Sequence, residues 1–215
     1  MDLPLILAAT LGAYLAGSIP FGLLVARLTG GPDPRSIGSG RTGGTNALRA
    51  LGRRRAAVVS AGDILKGTLP VLAVHSLAAQ GAEIWTSTWT VIAALFAVIG
   101  ATRSIWVGFK GGRGIATGFG TALAIAPLAL AAVAPIFLIV IWRTRIVSLG
   151  SLATAALFAP ALFIISYATT GMLDGALIAY GIVGPALVWF AHADNIARLR
   201  DGTERTFDTG MLQRD

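Results

Sequence analysis

Two stretches of the chain combine glycines, cations and small polar side chains at close spacing. Residues 36–52 read SIGSGRTGGTNALRALG, and residues 108–120 read GFKGGRGIATGFG. Glycines let backbone N–H groups approach and wrap anionic oxygens, while Lys and Arg supply countercharge. In the first stretch Gly38, Gly40, Gly43 and Gly44 are interleaved with Ser39, Thr42, Thr45 and Asn46. Their hydroxyl and amide groups suit phosphate oxygens or an alcohol. Asn46 and Arg49 are three apart and share a face if a helix starts there. In the second stretch Lys110 and Arg113 flank Gly111 and Gly112, with Gly114 next, at the mouth of a short helix. A helix N-terminus there adds partial positive charge where an anion would bind.

Three further groups stand near apolar runs. Asp63 and Lys66, at i and i+3, are costly at membrane depth unless paired with each other or facing an aqueous cavity, so pairing and ligand contact both stay open. His192, Asn195 and Arg198 fall roughly on one helical face and are followed by Gly202-Thr203-Glu204. Pro20 in GSIPFG should kink the first apolar run near Ser18. His75 sits in an apolar run and reads as structural.

Other chemistries are poorly served. GSGRTG fits G-x-G-x-x-G, but no strand precedes it and no βαβ unit surrounds it, as a dinucleotide site requires. GGRGIAT lacks the Gly-Lys-Ser/Thr ending of a phosphate-binding P-loop. The chain has no Cys, which removes disulfides and thiolate nucleophiles. Carboxylates are scattered without a metal-ligand spacing, and neither histidine has an acid four residues on. No metal or cofactor is called for.

The elements that must position these residues are membrane spans. The 215 residues are 55% hydrophobic and 13% charged, with a mean hydropathy of +0.75. Apolar runs cover residues 3–28, 56–79, 85–100, 115–142, 146–167 and 172–189, against the roughly 20 residues that cross a bilayer. The first run lacks a basic leader and a cleavage signal, so it reads as a retained span. The formal charge of +7 is explained by topology rather than by nucleic acid, with affinity for anionic lipid as a by-product.

Cations follow the first run (Arg27 to Arg55) and the third (Arg103, Lys110, Arg113). If those loops are inside, the N-terminus with Asp2 and the turn at 80–84 are outside. Arg143, Arg145, Arg198, Arg200, Arg205 and Arg214 would then fall outside unless the long run from Ile115 to Trp142 is split. Pro127 and Pro135 each lack a backbone donor, so a break near Ala126–Pro127 gives two short helices that enter and return. All 17 Lys and Arg residues then share one side. The expected fold is all-α and polytopic. It has seven transmembrane helical segments, an outside N-terminus and a cytoplasmic C-terminus, in one domain over 1–215.

The motifs GSIPFG (17–22), IGSGRTGGTNALRALGRR (37–54), GDILKG (62–67), GFKGGRGIATGFG (108–120) and HADNIARLRDGTE (192–204) resemble those of the bacterial acyl-phosphate:glycerol-3-phosphate acyltransferases, the PlsY-type enzymes. They occur in the family's order and span nearly the whole chain. The resemblance implies an inner-membrane enzyme that acylates the sn-1 hydroxyl of glycerol 3-phosphate, and a monomer is the expected state. Acyl phosphate rather than acyl-CoA would be the donor, and lysophosphatidic acid and phosphate the products. It further implies that Ser39, Arg49, Lys110, His192 and Asn195 hold phosphates and orient the glycerol. Family members usually carry Asn at Arg41, Ala at Gly44, His at Ala101 and Lys at Arg113. The competing class is a non-enzymatic anion transporter or lipid-binding protein. A transporter should place polar groups near the midplane, often on inverted repeats, whereas here they cluster toward one face.

Overall fold

A computed structural model describes residues 3–80 and 83–206; Asp2, the turn at 81–82 and Arg214 lie outside the described residues. Every regular element among the described residues is helical. The first run forms α1 (Leu3–Ser18) and α2 (Phe21–Leu28), bent by 55° at Ile19–Pro20. Proline removes a donor and frees carbonyls on the preceding turn. Those carbonyls find partners elsewhere: Lys66 Nζ donates to the Ile19 carbonyl at 2.8 Å and Ser104 Oγ to that of Ser18 at 2.5 Å. A break inside an apolar medium persists only when its backbone is satisfied in this way.

Next come α3 (Gly44–Leu51), α4 (Arg53–Ala79) and α5 (Glu83–Thr102). Small residues let α1 lie close along α5. A Cβ added at Gly17 would come within 2.2 Å of the Ala97 carbonyl oxygen, and one at Gly100 within 2.3 Å of that of Tyr14. Close approach through small residues is how helices associate where lipid removes the hydrophobic drive.

The long run splits into α6 (Ile115–Ile125) and α7 (Pro127–Thr144), joined at Ala126. The break falls where Pro127 predicts it. One expectation needs correction: α7 has 18 residues and is long and apolar enough to cross alone, so only α6 is short. Pro135 lies within α7 without ending it, since membrane helices tolerate a lost internal bond when local adjustment compensates. On α7, Leu128 and Leu138 are 62% and 66% exposed, which marks this face for lipid.

The chain ends with α8 (Val147–Thr170), α9 (Gly175–Ala191) and α10 (Ala193–Arg200), the last two bent by 64° at His192. Four helices qualify as membrane spans by length and composition, or six if each bent pair counts as one. The protein is thus a multi-pass, all-helical membrane protein. Its main apolar core gathers Val71, Ala94, Ala122, Val133, Phe158 and Tyr180 from α4 to α9.

Candidate active site

The first glycine stretch is folded around Asn46. Its Nδ2 donates to the carbonyls of Ile37 (3.1 Å) and Arg41 (3.0 Å), and its Oδ1 accepts from Ser39 N–H (3.4 Å) and Arg49 Nη1 (3.2 Å). Gly38 adopts φ +59°, and a Cβ there would strike Asn46 Oδ1 at 2.5 Å, so the turn admits only glycine. The helix anticipated from the Asn46–Arg49 spacing is α3.

The second stretch is fixed through its backbone. Gly111 N–H donates to Thr102 O and Gly112 N–H to Ala101 O, so the loop folds back on the end of α5. Gly114, at φ +73°, then starts α6. Arg41 Nη1 reaches the Gly111 carbonyl at 3.4 Å and links the two loops.

The tail closes against both. Arg113 donates from Nη1 to Asn195 Oδ1 and from Nη2 to Asp194 Oδ2 (2.9 Å). Glu204 accepts from Asn195 Nδ2 (2.6 Å), Arg198 Nε (2.7 Å) and Ser148 Oγ (3.0 Å), joining α8 to α10. Burial works against the Asp194 charge, but Arg113 and Arg198 outweigh it and hold the carboxyl below its usual range.

His192, the residue after α9, is 1% exposed, and Nδ1 lies 2.8 Å from the Val188 carbonyl. A carbonyl can only accept, so Nδ1 carries the hydrogen and Nε2 is the acceptor in the neutral ring. Burial pushes the imidazole down to about 4, which keeps it neutral near pH 7.

These parts enclose a cavity of about 330 Å³. It is lined by Ser39, Gly43, Thr45, Asn46, Arg49, Asp63, Lys66, Gly112, Arg113, Gly114, His192 and Asn195, all anticipated from the sequence. Gly38, Gly40 and Gly111 shape the loops behind the lining, and Lys110 is exposed outside it. Asp63 and Lys66 pair at 2.7 Å, as one of the two readings has it, and both line the cavity.

Thr42, noted among the hydroxyls of the first stretch, also lines the cavity; sequence reasoning did not assign Ser60, Thr117, Ser148, Ser151, Glu204 or Arg205 to the lining, and met Arg41 only as a departure from the family pattern. The available signal for Glu204 was its place in Gly202-Thr203-Glu204, directly after the face that carries His192, Asn195 and Arg198.

The chemistry of the cavity follows from its walls. The first turns of α3, α6, α8 and α10 all contribute to the lining. First-turn N–H groups have no intrahelical acceptor and carry partial positive charge. Arg113 Nε is buried without an acceptor in the protein. One wall, with Ile64, Ile115, Phe119, Phe137 and Val147, is apolar. The arrangement sets partial positive charge and guanidinium groups beside a hydrophobic surface, a chemistry suited to an anion with an apolar tail.

Fold and cavity together define a multi-pass membrane protein with a basic cavity lined in part by apolar side chains. The protein-family model for glycerol-3-phosphate acyltransferase matches residues 7–202. The chain belongs to that family. It is 41% identical over 197 residues to the glycerol-3-phosphate acyltransferase of Geotalea daltonii, covering 92% of this chain and 95% of that one. It is 45% identical over 199 residues to the enzyme of the same name from Synechococcus sp. (strain JA-2-3B'a(2-13)), covering 92% of each. The crystal structure of PlsY (YgiH), an integral membrane glycerol 3-phosphate acyltransferase, in its glycerol 3-phosphate form superimposes with a TM-score of 0.84 at 33% identity. That match covers 97% of this chain and 98% of the other. The lysophosphatidic acid form matches with a TM-score of 0.81 at 31% identity.

Proposed function

We propose that the cavity holds glycerol 3-phosphate and an acyl phosphate together and passes the acyl group from one to the other. The protein is an acyltransferase that acylates glycerol 3-phosphate to lysophosphatidic acid, as the family membership supports. The observation that carries the two-phosphate reading is the convergence of four helix N-termini with Arg41, Arg49 and Arg113 on one cavity that has an apolar wall.

In this reading the sn-1 hydroxyl oxygen attacks the acyl carbonyl carbon. An ester C–O bond forms, the C–O bond of the mixed anhydride breaks, and phosphate leaves. The hydroxyl proton passes to a substrate phosphate oxygen, since His192, held near 4, is a weak base and orients through Nε2. The donor is already activated, so positioning and charge stabilisation suffice; positioning alone can supply about 7–11 kcal/mol. Ser39, Arg49, Lys110, His192 and Asn195 are the proposed catalytic set. Arg113 and the loop N–H groups complete the phosphate sites. Lys110, in the exposed stretch before Gly111, acts at the mouth through its flexible stem.

The membrane reading places seven segments, a single domain over 1–215 and an outside N-terminus in the cell's inner membrane, with the site facing the cytoplasm and the protein a monomer. It is supported by the way both glycine loops, the start of α8 after Arg143 and Arg145, and the tail all line one cavity, as a one-sided distribution of cations requires.

The test is purified protein supplied with acyl phosphate and radiolabelled glycerol 3-phosphate. Labelled lysophosphatidic acid is expected, and its absence in folded protein overturns the reading. Unlabelled acyl-CoA should not compete as donor, and liposomes should show no protein-dependent phosphate flux.

A further inference from the structure

After α10 the chain doubles back on itself. Gly202 adopts φ +69°, a left-handed conformation open to glycine without strain, and Thr203 N–H donates to the Arg198 carbonyl at 2.8 Å. The turn sets Glu204 where Asn195, Arg198 and Ser148 all donate to its carboxylate, and its side chain is only 7% exposed. A carboxylate held by donors from two helices anchors the tail against the bundle. Arg205 is the next residue; it lines the cavity and is itself exposed, so it stands at the rim.

The charges of the cavity do not balance. Lys66 is paired with Asp63 and Arg113 with Asp194, while Glu204 is taken by Arg198. Arg41, Arg49 and Arg205 line the cavity and form no salt bridge among the described residues. Two of them donate to a neutral acceptor, Arg41 to the Gly111 carbonyl and Arg49 to Asn46 Oδ1. No hydrogen bond ties the Arg205 guanidinium to the described residues. It lies near enough to Arg49 for the two to repel: burial, then the charge of Arg205, holds the Arg49 guanidinium below its ordinary value, against the opposing pull of Glu204. Like charges held together on an anchored tail and a short helix are costly unless an anion comes between them.

We propose that Arg205 captures the phosphate of glycerol 3-phosphate together with Arg49 and sets the affinity for that acceptor. The assignment rests on the acyl-transfer reading. The acceptor is the ligand because it is small, water-borne and nearly doubly charged, and Arg205 is exposed. The chain of the donor must instead lie against the apolar wall of Ile64, Ile115, Phe119 and Phe137. A guanidinium fork matches phosphate oxygens through parallel N–H bonds. A cation at the rim also speeds the arrival of an anion, an effect that salt screens.

The experiment measures KM separately for glycerol 3-phosphate and for acyl phosphate, at low and at high ionic strength. Arg205→Ala should raise KM for glycerol 3-phosphate by about tenfold or more, with KM for acyl phosphate little changed. The variant should also show a weaker rise of the first KM with salt. Arg205→Lys should restore the salt dependence and only part of the affinity, since the charge returns without the fork. Arg200→Ala controls for net charge, because Arg200 pairs with Asp201 and lies outside the lining. A near wild-type KM for glycerol 3-phosphate in Arg205→Ala overturns the assignment. So does an equal rise for acyl phosphate, or an equal rise in Arg200→Ala. Wild-type protein that forms no lysophosphatidic acid instead overturns the acyl-transfer reading, and the assignment with it.

Discussion

The two glycine loops look alike in sequence and are held by different means. The first is knitted by a side chain, Asn46, whose amide spans the turn from Ile37 to Arg41. The second is held by its own backbone on the end of α5 and by Arg113 on the tail. The first is thus self-contained, whereas the second depends on segments far away in the chain. Glycine serves differently too. A Cβ at Gly43 meets nothing within 4 Å, while one at Gly111 would lie 2.3 Å from the Ala101 carbonyl oxygen.

The largest effect tests the distant tie. Arg113→Ala strips a guanidinium from the cavity and leaves Asn195 and Asp194 without their partner; kcat/KM should fall by about 10²–10³-fold. Retention of near wild-type turnover would show that the second loop needs no such tie. Asn46→Ala should follow in size, because it leaves loop carbonyls and the Ser39 N–H without their partner, at about 1–3 kcal/mol for each buried group. A lower melting temperature in detergent, together with weaker binding of glycerol 3-phosphate, is the expected pair of readouts.

Gly111→Ala should shift the second loop and cost activity by about tenfold or more, whereas Gly43→Ala should leave melting unchanged. Equal melting losses in the two variants would erase the contrast between the loops. Lys110→Ala should be the mildest on the fold, losing turnover while the melting temperature stays near that of the wild type. A kcat loss as large as that of Arg113→Ala would make Lys110 the dominant cation of the loop.

Acid provides a further probe. The folded-state pKa of His192 is lowered from 6.5 to about 4 by burial. Between those values the unfolded chain binds more protons, so stability should fall as pH drops through that window and change little from this group below it. Wild-type melting temperature should decline between pH 6.5 and 4 more steeply than that of His192→Gln; parallel curves would remove His192 as the cause.

Much of the fold was legible because its signals are local. Pro20 and Pro127 mark breaks where the structure has them, and the Asn46–Arg49 spacing gives α3. Pro135 marks no break: the local rule for ending helices is relaxed inside apolar surroundings, and α7 continues through it. The candidate site was legible in its glycines, its cations and the pair His192 and Asn195. Glu204 was not, since its importance lies in joining Ser148, Asn195 and Arg198, and Ser148 is 56 residues away.

By itself the sequence determined that apolar spans alternate with basic, glycine-rich connections, because hydropathy, proline and glycine act on their immediate neighbours. Only the tertiary structure decided which cation faces the cavity. Lys110 and Arg113 are three residues apart and chemically similar, yet Arg113 is drawn inward by Asp194 and Asn195 while Lys110 remains exposed. That choice depends on contacts between residues about eighty positions apart, and such contacts form only once the helices have packed.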